Sequence, residues 1–310
     1  MAARLLTVPD GLAGERIDIA LTRMLGLSRS RAVDIITLGA VTLDGSPAMK
    51  SDRLLAGSVI EIDTEVGLEP VAMQIDTEPV PGLRVVFDDD DFVVVDKPVG
   101  VAAHPSPGWT GPTVVGGLIG AGYAVSTSGA AERQGIVHRL DVGTTGLMVV
   151  AKSESAYTSL KHQFKERTVE KVYHAIAQGL LDPLKGTIEA PIGRHPNADY
   201  KFAVVQGGKD SITHYETLEA FSHGCLVEVH LETGRTHQIR VHMAAMRHPL
   251  AGDITYGADP MLSKKVGLTR QWLHAVRLGF NHPATGEYVE FSSPYPADLQ
   301  AALEQFRLGA

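Results

Sequence analysis

The densest concentration of reactive side chains in the 310-residue chain lies between Gly135 and Gly146. There His138, Arg139, Leu140 and Asp141 are followed by Val142-Gly143-Thr144-Thr145-Gly146, so an acid flanked by an imidazole and a guanidinium stands in a Gly/Thr-rich turn ahead of an apolar run. Turn glycines let backbone or ligand come close. Arg139 and neighbouring donors favour the ionised form of Asp141, and such a carboxylate at a strand start can serve as nucleophile or general base. From these residues alone, the alternative is a structural ion pair with a capped turn. The order His-Arg-Leu-Asp exchanges the last two residues of the kinase catalytic loop, and no Gly-rich phosphate loop or Asp-Phe-Gly accompanies it, which excludes a kinase.

A second cluster runs from Thr233 to His242, with Arg235, His237, Gln238 and Arg240. Arg235, Arg240 and Arg247 supply three positive charges with no acid between them, suited to pairing with a carboxylate or a phosphate. On a helix, Arg240 lies one turn from His237 and Thr236 and points away from Ile239 and Met243. His237 and His242 are five residues apart, poor spacing for two ligands on one helical face, so no metal site is expected. In Lys171-Val172-Tyr173-His174-Ala175, Tyr173 is either a core residue or a ring on which a base stacks. Asp96-Lys97-Pro98-Val99-Gly100 with His104-Pro105 is either a shaped turn or a substrate loop. Gly116, Gly117, Gly120 and Gly122 do not follow the dinucleotide fingerprint.

The elements that must position these residues can be read from periodicity. Ile17, Leu21, Met24 and Leu25 repeat at helical spacing. Ser28 can cap a second helix carrying Ala32, Val33, Ile36 and Leu38, stopped by Gly39. Val41–Leu43 reads as a strand, Asp44-Gly45 as a tight turn, and Val59–Ile62 as another strand. Residues 12–75 are therefore expected to form a small α/β module. The Pro/Gly-interrupted stretch around residues 76–83 reads as a linker, and residues 84–305 as a larger domain. Within the larger domain, Asp88–Asp91 reads as a solvated turn and residues 124–134 as a flexible loop. Phe92–Val95, Leu147–Val150, Val169–Gln178 and Leu226–Leu231 read as strands, and Ser153 opens a helix with Tyr157, Leu160 and Phe164 on one face. Thr236 can cap a helix with Ile239, Met243 and Met246 buried, ended by Pro249. Strands and helices do not alternate regularly, so an α+β fold with a mixed, mainly antiparallel sheet is expected rather than a doubly wound one.

Composition sets outer limits. Apolar content of 44% with 21% charged residues fits a soluble globular protein. The single cysteine, Cys225, excludes a disulfide framework and a multi-cysteine zinc site and points to a reducing compartment. No apolar run reaches membrane-spanning length, and the first ten residues lack a signal-peptide pattern, so a cytoplasmic location is expected. The net charge of -8 argues at first against a nucleic-acid partner.

Taken in order, the motifs resemble the RluA family of pseudouridine synthases, particularly its members acting on large-subunit ribosomal RNA. They read Asp96-Lys97-Pro98-x-Gly100 with His104-Pro105, His138-Arg139-Leu140-Asp141-x-x-Thr144-Thr145-Gly146-Leu147, Lys171-x-Tyr173-x-Ala175 and Gly234-Arg235-Thr236-His237-Gln238-Ile239-Arg240-x-His242. Pro249-Leu250-x-Gly252-Asp253-x-x-Tyr256-Gly257, Leu273-His274-Ala275 and His282-Pro283-x-Thr285-Gly286 follow. Residues 12–63 resemble an RNA-binding module first named from a small-subunit ribosomal protein (S-four-like), through Ser28-Arg29-Ser30-Arg31 and Gly39-x-Val41. Thr145 stands where the family usually has Ser, and Asp44 where the module usually has Asn.

The resemblance implies an RNA uridine isomerase that breaks N1–C1′, turns the base and joins C5 to C1′, with neither cofactor nor metal. Asp141 would be the essential carboxylate, with Arg240 its pairing partner. Tyr173 would stack on the base and help remove the C5 proton, and Arg139 would hold the flipped nucleotide's phosphate or fill its vacancy. His138, Leu140, Thr144, Lys97, His104, Arg235, His237 and Gln238 would line the substrate site, with Arg29 and Arg31 as the module's RNA contacts. The target base must leave its stack. A monomer acting on structured RNA, large-subunit ribosomal RNA or its precursor particle, is expected, without membrane attachment. The alternative from another class is an RNA-binding ribosome-assembly factor with a vestigial site. A glycoside hydrolase would need two carboxylates flanking the bond, and only Asp141 sits in a convincing site. The charge objection weakens locally. Residues 133–175 carry seven basic against four acidic side chains, and residues 235–248 three basic against none. Residues 1–75, by contrast, hold seven basic and ten acidic residues.

Overall fold

The structure, a computed structural model, describes residues 3–9, 12–25, 27, 29–63, 77–106, 109–129 and 133–309. It divides into two compact units, Met1–Ala72 and Met73–Ala310. The smaller contains β1 (Ala3–Thr7), α1 (Ile17–Leu25), α2 (Arg29–Thr37), β2 (Val41–Leu43), β3 (Ser46–Pro47) and β4 (Val59–Asp63). Its strands pair antiparallel in the order β1-β4-β2-β3. Ile17, Ala20 and Leu21 of α1 and Ala32, Ile35 and Ile36 of α2 bury their apolar stripes against Val41, Ile60 and Ile62.

One detail differs from the sequence reading, one lies outside the described residues and one adds partners. β1 extends the unit ahead of residue 12; most of its side chains are exposed, so no alternation marks it, and its partner β4 lies far along the chain. Ser28, the expected cap of α2, falls outside the described residues. The Asp44 carboxylate accepts bonds from the Val59 N–H at 2.7 Å and the Ser58 hydroxyl at 2.8 Å. These bonds hold its carboxyl below the usual range.

The larger unit opens with β5 (Arg84–Asp88), β6 (Phe92–Lys97), α3 (Val114–Gly120), β7 (Thr145–Ala151), α4 (Glu154–Lys165) and β8 (Glu170–Gln178). It continues with β9 (Lys185–Glu189), β10 (Ile192–His195), β11 (Ala198–Val204), β12 (Ile212–Ala220), β13 (Gly224–Leu231) and α5 (Gln238–Ala245). It closes with α6 (Pro260–Lys265), β14 (Leu273–Asn281), β15 (Tyr288–Ser292) and α7 (Ala297–Arg307). A nine-stranded sheet runs β5-β6-β7-β14-β8-β13-β12-β9, with β15 beside the second half of β14; β10 and β11 form a separate hairpin. The β7–β14 pair is parallel and the other strand pairs antiparallel, which is the expected mixed α+β fold.

Both sheet faces are covered, which is why β7 is buried at every residue and reads as an apolar run rather than an alternation. Val95, Met148, Val150, Tyr173 and Ala175 face one core with Leu118 of α3 and Ile239 and Met243 of α5. On the other side, Phe92, Val94, Leu147 and Val149 meet Ala156 and Leu160 of α4. Ile176, Leu226 and Trp272 meet Leu299, Leu303 and Phe306 of α7.

Three surface segments carry more contacts than the sequence reading gave them. Residues 77–83 do not hang as a linker: Val80 and Leu83 pack against the first of these cores. The glycines of α3 make room for them, since a Cβ at Gly117 would meet Val80 at 2.7 Å and one at Gly120 would run into the Thr77 carbonyl. The acidic turn is tied down, with Asp89 accepting the Asp91 and Phe92 N–H groups and pairing with His282 at 2.7 Å, and Asp88 pairing with Lys152 at 2.7 Å. In the loop after α3, Ser126 is buried and donates to Glu154 at 2.8 Å, so the described part of that loop is anchored to α4. Among the described residues, no helix is long and apolar enough to cross a membrane.

Candidate active site

Asp141 occupies the turn before β7, and that turn is clamped from two directions. From β6, Lys97 is fully buried and donates to the carbonyls of Pro98 (3.0 Å), Val101 (2.8 Å) and Val142 (3.4 Å). Burial lowers the Lys97 amine to about 7, against the opposing pull of Asp141. From the approach to β14, Arg270 donates to the Gly143 carbonyl (2.9 Å), Gln271 to Thr144 Oγ1 (3.2 Å), and His274 Nδ1 meets Thr145 Oγ1 (2.8 Å). Gly146 then lies so close to Ala275 of β14 that any Cβ would collide with its backbone; its φ of +110° also falls where side chains are disfavoured.

The basic partner comes from α5. Arg240 is buried, yet its guanidinium is shared. Nε and Nη2 donate to the two oxygens of buried Asp253 at 2.7 and 2.9 Å, while Nη1 reaches Asp141 Oδ2 at 3.3 Å. The guanidinium also lies over the Tyr256 ring, 4.8 Å from its centroid. Burial alone would destabilise this cation, but Asp253 first and Asp141 second outweigh it and raise its pKa. The fork-to-fork pair with Asp253 fixes which nitrogen faces Asp141. Sequence spacing did not assign Asp253 a role; the available signal was a lone acid in the Gly-rich turn following the arginine helix.

The start of α5 differs from expectation. Thr236 does not cap it. The capping position falls to His237, whose backbone is left-handed (φ 57°, ψ 22°) and whose side chain makes no capping bond. The helix stops at Ala245, with Arg247 in a left-handed conformation before Pro249 is reached. Gln238 is buried, and its amide is used within the fold: the oxygen accepts from Thr233 Oγ1 (2.8 Å) and the Arg235 N–H (3.0 Å), and the nitrogen donates to Ile212 O (2.9 Å) and Thr213 Oγ1 (3.0 Å).

A cleft of about 530 Å³ opens over Asp141, with Tyr173 in its wall. Arg133, Arg139, Lys165, Arg167, Lys171 and Arg235 line it, with Asp141 and Glu232 the acids in its lining. A second recess of about 310 Å³ shares His104, Arg139 and Asp141 and adds His237, Arg240 and Gln271. The carboxylate thus sits where the two meet. Tyr173 is buried on β8, and burial first, then the charge of Asp141, pushes its phenol above the ordinary range. The Tyr173 hydroxyl therefore keeps its proton near neutral pH.

The remaining expected residues separate into two groups. Arg139 is exposed and makes no hydrogen bond or ion pair with the described residues. Arg235 lines the cleft while its Nε donates to Asp210 O at 3.0 Å, and His104 lines both recesses with Nδ1 2.6 Å from Pro105 O. By contrast Leu140 belongs to the core, and Thr144 and Lys97 spend their polar atoms on the clamp. His138 borders the cleft, yet its Nε2 accepts the Val149 N–H at 3.0 Å and its ring stacks on Phe164. Burial lowers it to about 3, which keeps it a neutral acceptor. Arg29 opens α2, but its side chain lies outside the described residues; Arg31 stands in the same helix.

Comparison with known proteins bears on the chemistry. Residues 91–245 match the family model described as RNA pseudouridylate synthase. The chain is 59% identical to an uncharacterized RNA pseudouridine synthase of Mycobacterium tuberculosis (strain CDC 1551 / Oshkosh), covering 99% of each chain. It is 44% identical to ribosomal large subunit pseudouridine synthase D of Neisseria meningitidis serogroup A, covering 98% of this chain and 82% of that one. Among solved structures, human RNA pseudouridylate synthase domain containing 4 superposes with a TM-score of 0.57 at 25% identity, covering 72% of this chain and 92% of that chain.

Proposed function

The chain belongs to the RNA pseudouridylate synthase family and is an isomerase of RNA uridines, and from that premise we propose that Asp141 carries the reaction on large-subunit ribosomal RNA. The observation that supports this reading is the position of Asp141: one carboxylate, paired to a buried arginine, at the meeting point of a cationic cleft and a second recess. The basic rim can bind phosphates although the whole chain is acidic, because local charge governs phosphate contacts.

In this reading the target uridine leaves its stack and enters over Tyr173. Asp141 acts at the ribose as N1–C1′ breaks. The base turns, C5 bonds to C1′, the C5 proton departs and N1 gains one, so the change is redox-neutral and calls on no cofactor. Arg240 holds the carboxylate, Tyr173 stacks on the base, and Arg139 meets the phosphate or fills the vacated place in the helix. Residues 12–75 act as an RNA-binding module with its contacts around Arg29 and Arg31, and residues 84–305 as the catalytic domain. The enzyme works as a monomer in the cytoplasm. Incubation with ribosomal RNA tritiated at uridine C5 tests the proposal. Wild-type protein releases the label and Asp141→Asn does not; equal release by the two overturns the role of Asp141.

A further inference from the structure

A chain of polar contacts runs from the β10–β11 hairpin to Asp141 through Tyr256 and His237. The Phe202 N–H donates to the Tyr256 hydroxyl oxygen at 3.1 Å, and that oxygen lies 2.8 Å from His237 Nδ1. A phenol that accepts the Phe202 N–H still has its own proton to give. Among the described residues, Nδ1 of His237 is the acceptor within reach. Nδ1 is then the lone-pair nitrogen, and a neutral imidazole must carry its proton on Nε2.

Nε2 faces Asp141 Oδ2 at 3.8 Å, the same oxygen that Arg240 Nη1 reaches at 3.3 Å. A lone pair on Nε2 would repel that carboxylate, so the electrostatics select the same tautomer. The ring is held edge-on between Phe202 and Tyr256, with centroids 5.8 and 5.6 Å away. The left-handed backbone of His237 is an uncommon conformation outside glycine, of the kind retained where a side chain must be aimed. Burial also disfavours the imidazolium, although Asp141 opposes it.

We propose that His237, oriented by Tyr256, is a positioning residue for Asp141, its Nε2–H closing on Oδ2 and leaving Oδ1 to the substrate. This rests on the reading of Asp141 as the essential carboxylate. The separation of 3.8 Å exceeds a hydrogen bond, and contacts of this kind tighten when substrate enters.

Histidine ¹⁵N resonances of the wild-type protein, with His237 assigned by its loss in His237→Gln, test the tautomer directly. The expected pattern is a protonated Nε2 and a bare Nδ1; the reverse overturns the proposal. Label release then tests the consequence. Tyr256→Phe is expected to lower kcat about tenfold with little change in KM, and to release His237 into a mixture of tautomers. His237→Gln, which keeps a side-chain N–H, is expected to retain more activity than His237→Ala. A wild-type kcat in folded Tyr256→Phe, or an effect on KM alone, overturns the inference while inactive Asp141→Asn preserves the parent reading. An active Asp141→Asn defeats the parent reading instead.

Discussion

The two units bury different kinds of residue. In the amino-terminal unit the described core is almost wholly aliphatic, and Asp18 and Ser58 are its buried polar side chains. The carboxy-terminal unit buries Lys97, Thr144, Thr145, Thr213, Gln238, Arg240, His242, Asp253, Arg270, Gln271 and His274 around the turn that carries Asp141 and the helix that faces it. All 13 histidines of the chain lie in the larger unit. Apolar packing is enough to make a small folded module. Holding one carboxylate in a fixed place takes a network in which each polar atom is answered, because an unanswered one is expensive in a low-dielectric interior. The smaller unit is thus specified by volume and the larger one by hydrogen-bond bookkeeping as well.

The sharpest way to test that contrast is to separate reactivity from stability. Asp141→Asn should reduce label release by at least about 10³-fold with the melting temperature nearly unchanged, since Asp141 sits in the cleft rather than the core. A comparable loss of stability would show that Asp141 holds the fold. Next comes Asp253→Ala, which leaves Arg240 buried with half its pairing removed. A loss of about 3–5 kcal/mol is expected in urea unfolding of the larger unit, together with reduced turnover. A change below about 1 kcal/mol would mean that the guanidinium finds water instead.

Acidification should distinguish the units more gently. His274 is buried, and burial holds it at about 4 in the folded state against its ordinary 6.5. A group depressed in this way favours the folded state while neutral. Below pH 6.5 the unfolded chain takes up a proton that the folded one refuses, so stability falls as pH drops from about 6.5 towards 4. Between pH 7 and 5 this amounts to about 2 kcal/mol, and His138 acts in the same direction. The amino-terminal unit has no histidine to contribute, and unfolding curves read separately for the two units should show it unmoved across this interval. The smallest effects are expected at the periphery. Arg31→Ala should weaken binding to a ribosomal RNA fragment several-fold and reduce the salt slope by about one, with kcat intact. Tyr173→Phe should keep turnover within about tenfold if the ring stacks. A loss of 10²-fold or more would assign the hydroxyl to proton transfer.

The same contrast explains what could be read from the chain. Apolar runs announced β6 and β7, and Ser153 announced α4, because these signals are local. Asp141, Tyr173 and Arg240 were legible as residue types in unusual surroundings, and the structure brings Asp141 and Arg240 together across 99 positions. β1 was illegible because its side chains are mostly exposed and its partner is remote. Thr236 looked like a cap because threonine commonly is one, yet the αL backbone at His237 sets the helix start instead. Gln238, Thr144 and Lys97 looked like ligand contacts, and their polar atoms proved to be consumed within the fold, partly by near neighbours such as Val101 and Thr233 and partly by remote ones such as Val142, Thr213 and Gln271. Whether a polar side chain is spent or available depends on long-range partners, which spacing does not reveal.

The parallel contact between β7 and β14 has a consequence in time. Thr145 meets His274 across 129 positions of sequence, so a chain leaving the ribosome has made the turn that carries Asp141 long before it has made the strand that clamps it. Contacts of such separation form late and slowly, while units near the amino terminus fold first. A newborn molecule therefore acquires its small aliphatic module early and the fixed surroundings of Asp141 late, once synthesis has passed β14.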